Sequence, residues 1–201
     1  RRVVIQDNEH EVSGQGYSPE GAIKSLDGDA PFALDNALLG MALCGDAVVN
    51  KVDGEWKLIG DPTEGALVVL AAKGGFDAAK MRINHPRVAE VPFDSATKVM
   101  ATFHEVADSS GAPVMRMFVK GAPDVMLAKA GTAIGREGTA QPISELRDQL
   151  QAHNERLAGE GLRVLARRQG WRSRITGAVG TTVSWIGELS VLPRALATRR
   201  T

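Results

Sequence analysis

Three β-rich runs crowd between Arg87 and Lys120, and they restrict the fold more than any other feature of the chain. Arg87–Phe93, Val99–Val106 and Val114–Lys120 are strand candidates. The turn-like Asp108-Ser109-Ser110-Gly111 joins the last two as an antiparallel hairpin. The third run ends in Lys120-Gly121-Ala122-Pro123-Asp124, where a strand gives way to a helix over Ala122–Ala130. A second lysine-bearing segment, Phe93-Asp94-Ser95-Ala96-Thr97-Lys98, lies one hairpin away.

Around this centre the pattern alternates between strand and helix. Val3–Ile5 and the stretch from Glu11 to Gly16 read as short strands, and Asp27-Gly28-Asp29 punctuates an irregular segment. Leu34, Leu38 and Met41 recur at helical spacing, which predicts an amphipathic helix over Pro31–Cys44. Val48-Val49 and Trp56–Ile59 flank a turn at Asp53-Gly54. Asp61 then offers an N-cap, Pro62 suits the first helical position, and Glu64 sits where a capping-box carboxylate belongs. That helix is expected to stop at Gly74-Gly75, with a shorter one over Ala78–Ile83. Ile143–Gly159 carries an apolar stripe of Ile143, Leu146, Leu150 and Leu157, and Leu162–Ala166 reads as a strand. Beyond Ala166 arginines face only Glu188 and no period holds, so 167–201 reads as an extension distinct from 1–166.

The 201 residues suffice for one domain with a sizeable core. With 24 basic and 24 acidic residues, no global field steers nucleic acid or an anionic membrane to the chain. Cys44 is the single cysteine, which excludes a disulfide framework and a cysteine-based metal site; its apolar setting predicts a buried thiol. No apolar run reaches the roughly 18–20 residues that span a bilayer. The strand-like opening Arg1-Arg2-Val3-Val4-Ile5 reads as a piece of a longer protein.

An adenine nucleotide asks for a flat apolar surface, an acceptor for the amine, and cations for the phosphates. Phe93, ending a strand after Pro92, can stack on a base, and Lys98 lies five residues on. Lys120 stands at the strand-to-helix junction, Gly121 permits close backbone approach, and the helix that follows presents free N–H groups. Each residue also has an ordinary reading: Phe93 as core, Lys98 and Lys120 as solvated lysines, Glu64 as a helix cap, Arg163 as an outward residue of a strand. Composition and periodicity leave both readings open.

Four ordered motifs separate them. Gly60-Asp61-Pro62-Thr63-Glu64-Gly65-Ala66-Leu67, Pro92-Phe93-Asp94-Ser95-Ala96-Thr97-Lys98-Val99-Met100, Phe118-Val119-Lys120-Gly121-Ala122-Pro123-Asp124 and Gly161-Leu162-Arg163-Val164-Leu165-Ala166 resemble successive motifs of type II P-type ATPases, the calcium-pump-like and sodium-pump-like members. Leu39–Cys44 resembles the helix before the first of them, and the likeness covers residues 3–166. The resemblance implies an α+β fold, a mostly antiparallel twisted sheet flanked by helical hairpins. It implies that Phe93 stacks on adenine, that Glu64 lies near the amino group, and that Lys98 and Lys120 line the pocket. Met100 and Leu165 would add apolar wall, Gly121 would admit the backbone, and Arg163 would reach the phosphates. Ser95 stands where some members carry a phosphate-contacting arginine, which implies a weaker phosphate grip.

The same resemblance implies an ATP-holding cytoplasmic domain of an integral membrane pump, with Mg-ATP in the complete protein and phosphorylation and actuator domains as partners. The Asp-Lys-Thr-Gly-Thr acceptor motif and the Thr-Gly-Glu loop of the family do not occur in the 201 residues. The chain is therefore expected to hold nucleotide as a monomer, with no catalytic residue or metal site of its own. The alternatives are a complete small ATP-using enzyme, for which no spaced carboxylate cluster is found, and a regulatory or scaffolding domain of the same fold that has lost nucleotide. His85-Pro86, outside a glycine-rich setting, and Gly14-Gln15-Gly16, without a third glycine, carry no functional reading.

Overall fold

The structure is a computed structural model. It describes residues 2–5, 8–26, 34–107, 111–134, 139–173 and 188–193, with the backbone alone for Ile5, Ile134, Leu162, Arg163, 167–173 and 188–193. In chain order, β1 (Arg2–Ile5), β2 (Asn8–Val12) and β3 (Ile23–Ser25) precede helix α1 (Leu34–Leu43). β4 (Val48–Val52) and β5 (Glu55–Ile59) form a separate hairpin, and helices α2 (Pro62–Lys73) and α3 (Ala78–Asn84) follow. Then come β6 (Arg87–Asp94), β7 (Val99–Ala107), β8 (Pro113–Gly121) and α4 (Pro123–Ala128). The small hairpin of β9 (Thr132–Ile134) and β10 (Ala140–Pro142) leads into α5 (Ile143–Gly159), β11 (Leu162–Ser173) and β12 (Glu188–Pro193).

Eight strands make one antiparallel sheet in the order β3-β2-β1-β12-β11-β8-β7-β6. Strand alternation sends neighbours to opposite faces, so Val3 and Leu165 join the core under α1 and α2 while Val4 and Val164 join the one under α4 and α5. Helices thus cover both faces, as the α+β expectation requires. Phe118, fully buried, packs with Leu39, Leu43 and Cys44 of the α1 side. Burial of such a ring contributes about 1.5–3 kcal/mol.

The central hairpin forms with Val99 opposite Gly121 and Val106 opposite Val114; residues 108–110 of its turn lie outside the described residues. The β4–β5 turn takes positive φ at Asp53 and Gly54, the twist a two-residue hairpin needs. Helix α5 has the bounds the apolar stripe predicts. The strand expected from Glu11 to Gly16 lies at Asn8–Val12 instead, with no strand over 13–16, and three further features differ from expectation. Every residue of α1 from Ala37 to Leu43 is buried, because the helix lies between the sheet and α2 and α3 rather than at a surface; residues 31–33 of its expected start lie outside the described residues. The strand expected to stop at Ala166 runs on to Ser173, because β8 offers it partners from Gly121 back to Val114. The segment Glu188–Pro193, within a stretch that resembles the family's motifs poorly, is a strand inserted between β1 and β11.

Candidate functional site

Helix α2 begins the site. The Asp61 carboxylate accepts the Thr63 and Glu64 amides at 2.8 and 3.1 Å, with Pro62 in the first turn, so the chain enters the helix as the sequence predicts. Glu64 does not close a capping box. Its Oε2 instead accepts the amides of Asp46 and Ala47 at 2.7 and 3.0 Å, and its Oε1 accepts the Lys120 ammonium at 2.6 Å. The turn after α1 brings two free backbone donors within reach, and they outcompete the helix's own terminus. A Cβ on Gly45 would lie 3.1 Å from the Glu64 carboxyl and 3.2 Å from Lys120 Nζ, so that glycine leaves room for the pair.

Lys120 comes from the end of β8 and is only 7% exposed. A buried ammonium requires a partner, and Glu64 supplies it. Burial alone would raise the Glu64 pKa; the hydrogen bond and charge of Lys120 and the Asp46 and Ala47 amides outweigh that effect, and the carboxyl is held below its ordinary value. Glu64 is thus a carboxylate at neutral pH.

The β6–β7 connection supplies the opposing chemistry. The Asp94 carbonyl accepts the Lys98 amide at 2.7 Å, and its carboxylate accepts the Ala96 amide at 2.9 Å. Lys98 closes this loop at φ 55, in the left-handed region, and its carbonyl accepts the Ala122 amide at 3.1 Å. Gly121 is required beneath it: an added Cβ would stand 2.6 Å from the Lys98 oxygen. Phe93 stands 61% exposed, so its ring is surface rather than core.

These residues meet around a cavity of about 460 Å³, within the size range of small-molecule sites. It brings together Glu64, Phe93, Lys98, Lys120, Gly121 and Leu165 from four separate sequence motifs. Two residues expected with them do not line it. Met100, expected as apolar wall, is 3% exposed and does not line the cavity; it pairs with Lys120 across β7 and β8, and its carbonyl meets the Cys44 thiol. Ser95 is exposed in the loop and does not line the cavity. The Arg163 side chain lies outside what is described.

Asp61, Thr63, Ala122 and Val164 also line the cavity, although sequence reasoning gave Asp61 a capping role alone. All four lie within the ordered motifs, beside the residues singled out there. The roles of the Asp46 and Ala47 amides had no signal, because any residue carries a backbone N–H. His85 lies apart, ending α3 and accepting His104 Nδ1–H at 2.8 Å through its carbonyl. Cys44 is a buried thiol, as expected.

An antiparallel sheet clothed on both faces, with an exposed ring and a buried lysine–glutamate pair on one cleft at a strand-to-helix junction, defines an α+β domain. The profile of the family described as "P-type ATPase, cytoplasmic domain N" matches residues 33–169, a span that contains every cavity residue named above. The chain belongs to that family. A cation-transporting ATPase of Synechocystis sp. is 36% identical over 78% of this chain and 18% of its own length. The probable cation-transporting ATPase F of Mycobacterium tuberculosis is 37% identical over 79% of the chain and 17% of its own length. A calcium-transporting ATPase of Bacillus subtilis is 37% identical over 77% and 17%. The chain spans less than a fifth of the length of these relatives. Among the described residues, no helix is long and apolar enough to cross a membrane.

Proposed function

We propose that this chain is the ATP-holding domain of a type II P-type cation pump, presenting the nucleotide to an aspartate in a separate phosphorylation domain. The observation that carries the reading is the cavity itself, which joins the exposed ring of Phe93 to the Glu64–Lys120 pair. The ring stacks on adenine, and Glu64, anionic and fixed by three donors, accepts from the exocyclic amine. Lys98, solvent-exposed at the cavity mouth, is the cation available to the phosphates. Residues 1–166 supply every described lining residue, while the rest of β11 and β12 complete the sheet that carries them.

The chain holds Mg-ATP without turning it over, because phosphoryl transfer needs an acceptor and metal-assisted charge stabilisation that its motifs do not supply. In the parent pump, domain closure would bring the held γ-phosphate to the aspartate, and the phosphorylation and actuator domains would be its partners. Calorimetric titration with ATP tests the reading: saturable binding at a stoichiometry of one supports it. Heat changes no greater than those of buffer at millimolar ATP contradict it, and then favour the regulatory or scaffolding role.

A further inference from the structure

The loop that anchors Glu64 is itself held from behind. Arg87, the first residue of β6, donates from Nη2 to the Gly45 carbonyl at 2.8 Å and the Leu43 carbonyl at 3.5 Å. Its Nη1 pairs with Asp46 Oδ1 at 2.8 Å and with Glu90 Oε2. Arg82 of α3 donates to the Ala42 and Ala47 carbonyls at 3.1 and 3.0 Å. The carbonyls of the Ala42–Ala47 turn therefore face two guanidinium groups, while the Asp46 and Ala47 amides face Glu64.

Arg87 also links two walls of the cleft. Among the described residues, strand β6 is the edge of the sheet and pairs with β7 alone; it begins at Arg87 and carries Phe93 near its end. The other wall hangs on the α1–β4 turn through Glu64 and Lys120. A guanidinium suits the junction because its planar fork can satisfy carbonyls and carboxylates at once, which an ammonium cannot. Its partners hold the Arg87 pKa above the usual value although burial opposes this, so it stays charged.

We infer that Arg87 is a positioning residue for the nucleotide site, acting through the Leu43–Ala47 turn on Glu64. The inference rests on the proposed nucleotide-binding function. If Arg87 fixes the turn, its loss lets the Asp46 and Ala47 amides drift from the carboxylate, Glu64 and Lys120 lose their set geometry, and ATP affinity falls although Arg87 itself does not line the cavity.

The test is an ATP titration of the full 201-residue chain as wild type, Arg87→Met, Glu64→Gln and the double variant, with amide hydrogen exchange of each. Arg87→Met is expected to weaken ATP binding at least about threefold, and the double variant to bind no worse than Glu64→Gln alone, the non-additivity of residues that share one network. Exchange at Asp46 and Ala47 should accelerate in Arg87→Met while the Val119 amide in β8 stays protected. Losses that multiply, or wild-type affinity in Arg87→Met, overturn the inference. If the wild type itself binds no ATP, the proposed function fails, and the exchange rates alone decide whether Arg87 holds the turn. Arg87→Lys serves should the methionine variant not fold: it keeps a charge for Asp46 and Glu90 but not the fork, so the Asp46 and Ala47 amides still exchange faster. Unchanged exchange in that variant contradicts the inference.

Discussion

Lys120 Nζ stands 2.6 Å from Glu64 Oε1, and the two side chains line the same cleft as the exposed ring of Phe93. The buried cation of the site is therefore already neutralised before any ligand arrives. Among the described residues, the cleft offers an aromatic face, an oriented carboxylate and one exposed lysine.

Phe93→Ala is expected to cost about 1–3 kcal/mol of ATP binding, the range for loss of one stacked base. Because the ring is 61% exposed, the thermal midpoint should stay within a degree or two of wild type, on the scale of surface substitutions at about ±0.5 kcal/mol. Parallel titration and melting curves check both halves; a large drop in the midpoint would return Phe93 to the core.

Lys120→Met should harm both properties. It leaves the Glu64 carboxylate buried beside two amides without its ammonium, a loss of about 1–3 kcal/mol of stability. Urea denaturation reads the loss. Glu64→Gln combined with Lys120→Met should restore part of it, since the uncompensated charge is then gone.

Stability is expected to fall in two steps on acidification. Burial is the main cause that lowers the His104 pKa, reinforced by Arg87, His85 and Arg82 against the His85 carbonyl bond. The unfolded chain therefore binds a proton first, so this contribution is full above about pH 6.5 and declines below it. Glu64, also lowered, contributes above the ordinary carboxylate value of about 4.3, and that contribution is lost as pH falls through its folded value. Melting curves from about pH 8 to about pH 2 should show both limbs; His104→Phe should reduce the upper one, to which His85 also contributes, and Glu64→Gln the lower.

Gly121→Ala places a methyl 2.6 Å from the Lys98 carbonyl, which also holds the Ala122 amide. Backbone must move, at about 1–3 kcal/mol, and the β6–β7 loop should shift with it. Differential scanning calorimetry measures the first effect, and loss of ATP affinity the second.

The central β region was legible because its strands are flanked by turn residues, and α5 because its apolar stripe keeps a steady helical spacing. Helix α1 was legible in position but not in its all-round burial, which tertiary packing decides. The site was legible where it uses side chains with distinct chemistry, as at Phe93, Lys98 and Lys120. It was hidden where backbone carries the work: the amides of Asp46 and Ala47 turn Glu64 away from its own helix end. Met100 was placed on the cavity by resemblance; it pairs opposite Lys120 but is 3% exposed and is absent from the cavity lining.

The central claim is that the cleft between Phe93 and Lys120 holds ATP, and amide NMR during an ATP titration tests it most directly. The account predicts saturable shifts at Phe93, Lys98, Lys120 and Gly121 with a Kd of roughly 10⁻⁴–10⁻³ M, or about 4–5.5 kcal/mol. The amides of the β4–β5 hairpin tip at Asp53 and Gly54 should stay still. Absence of shifts at the four cleft residues in millimolar ATP would contradict it.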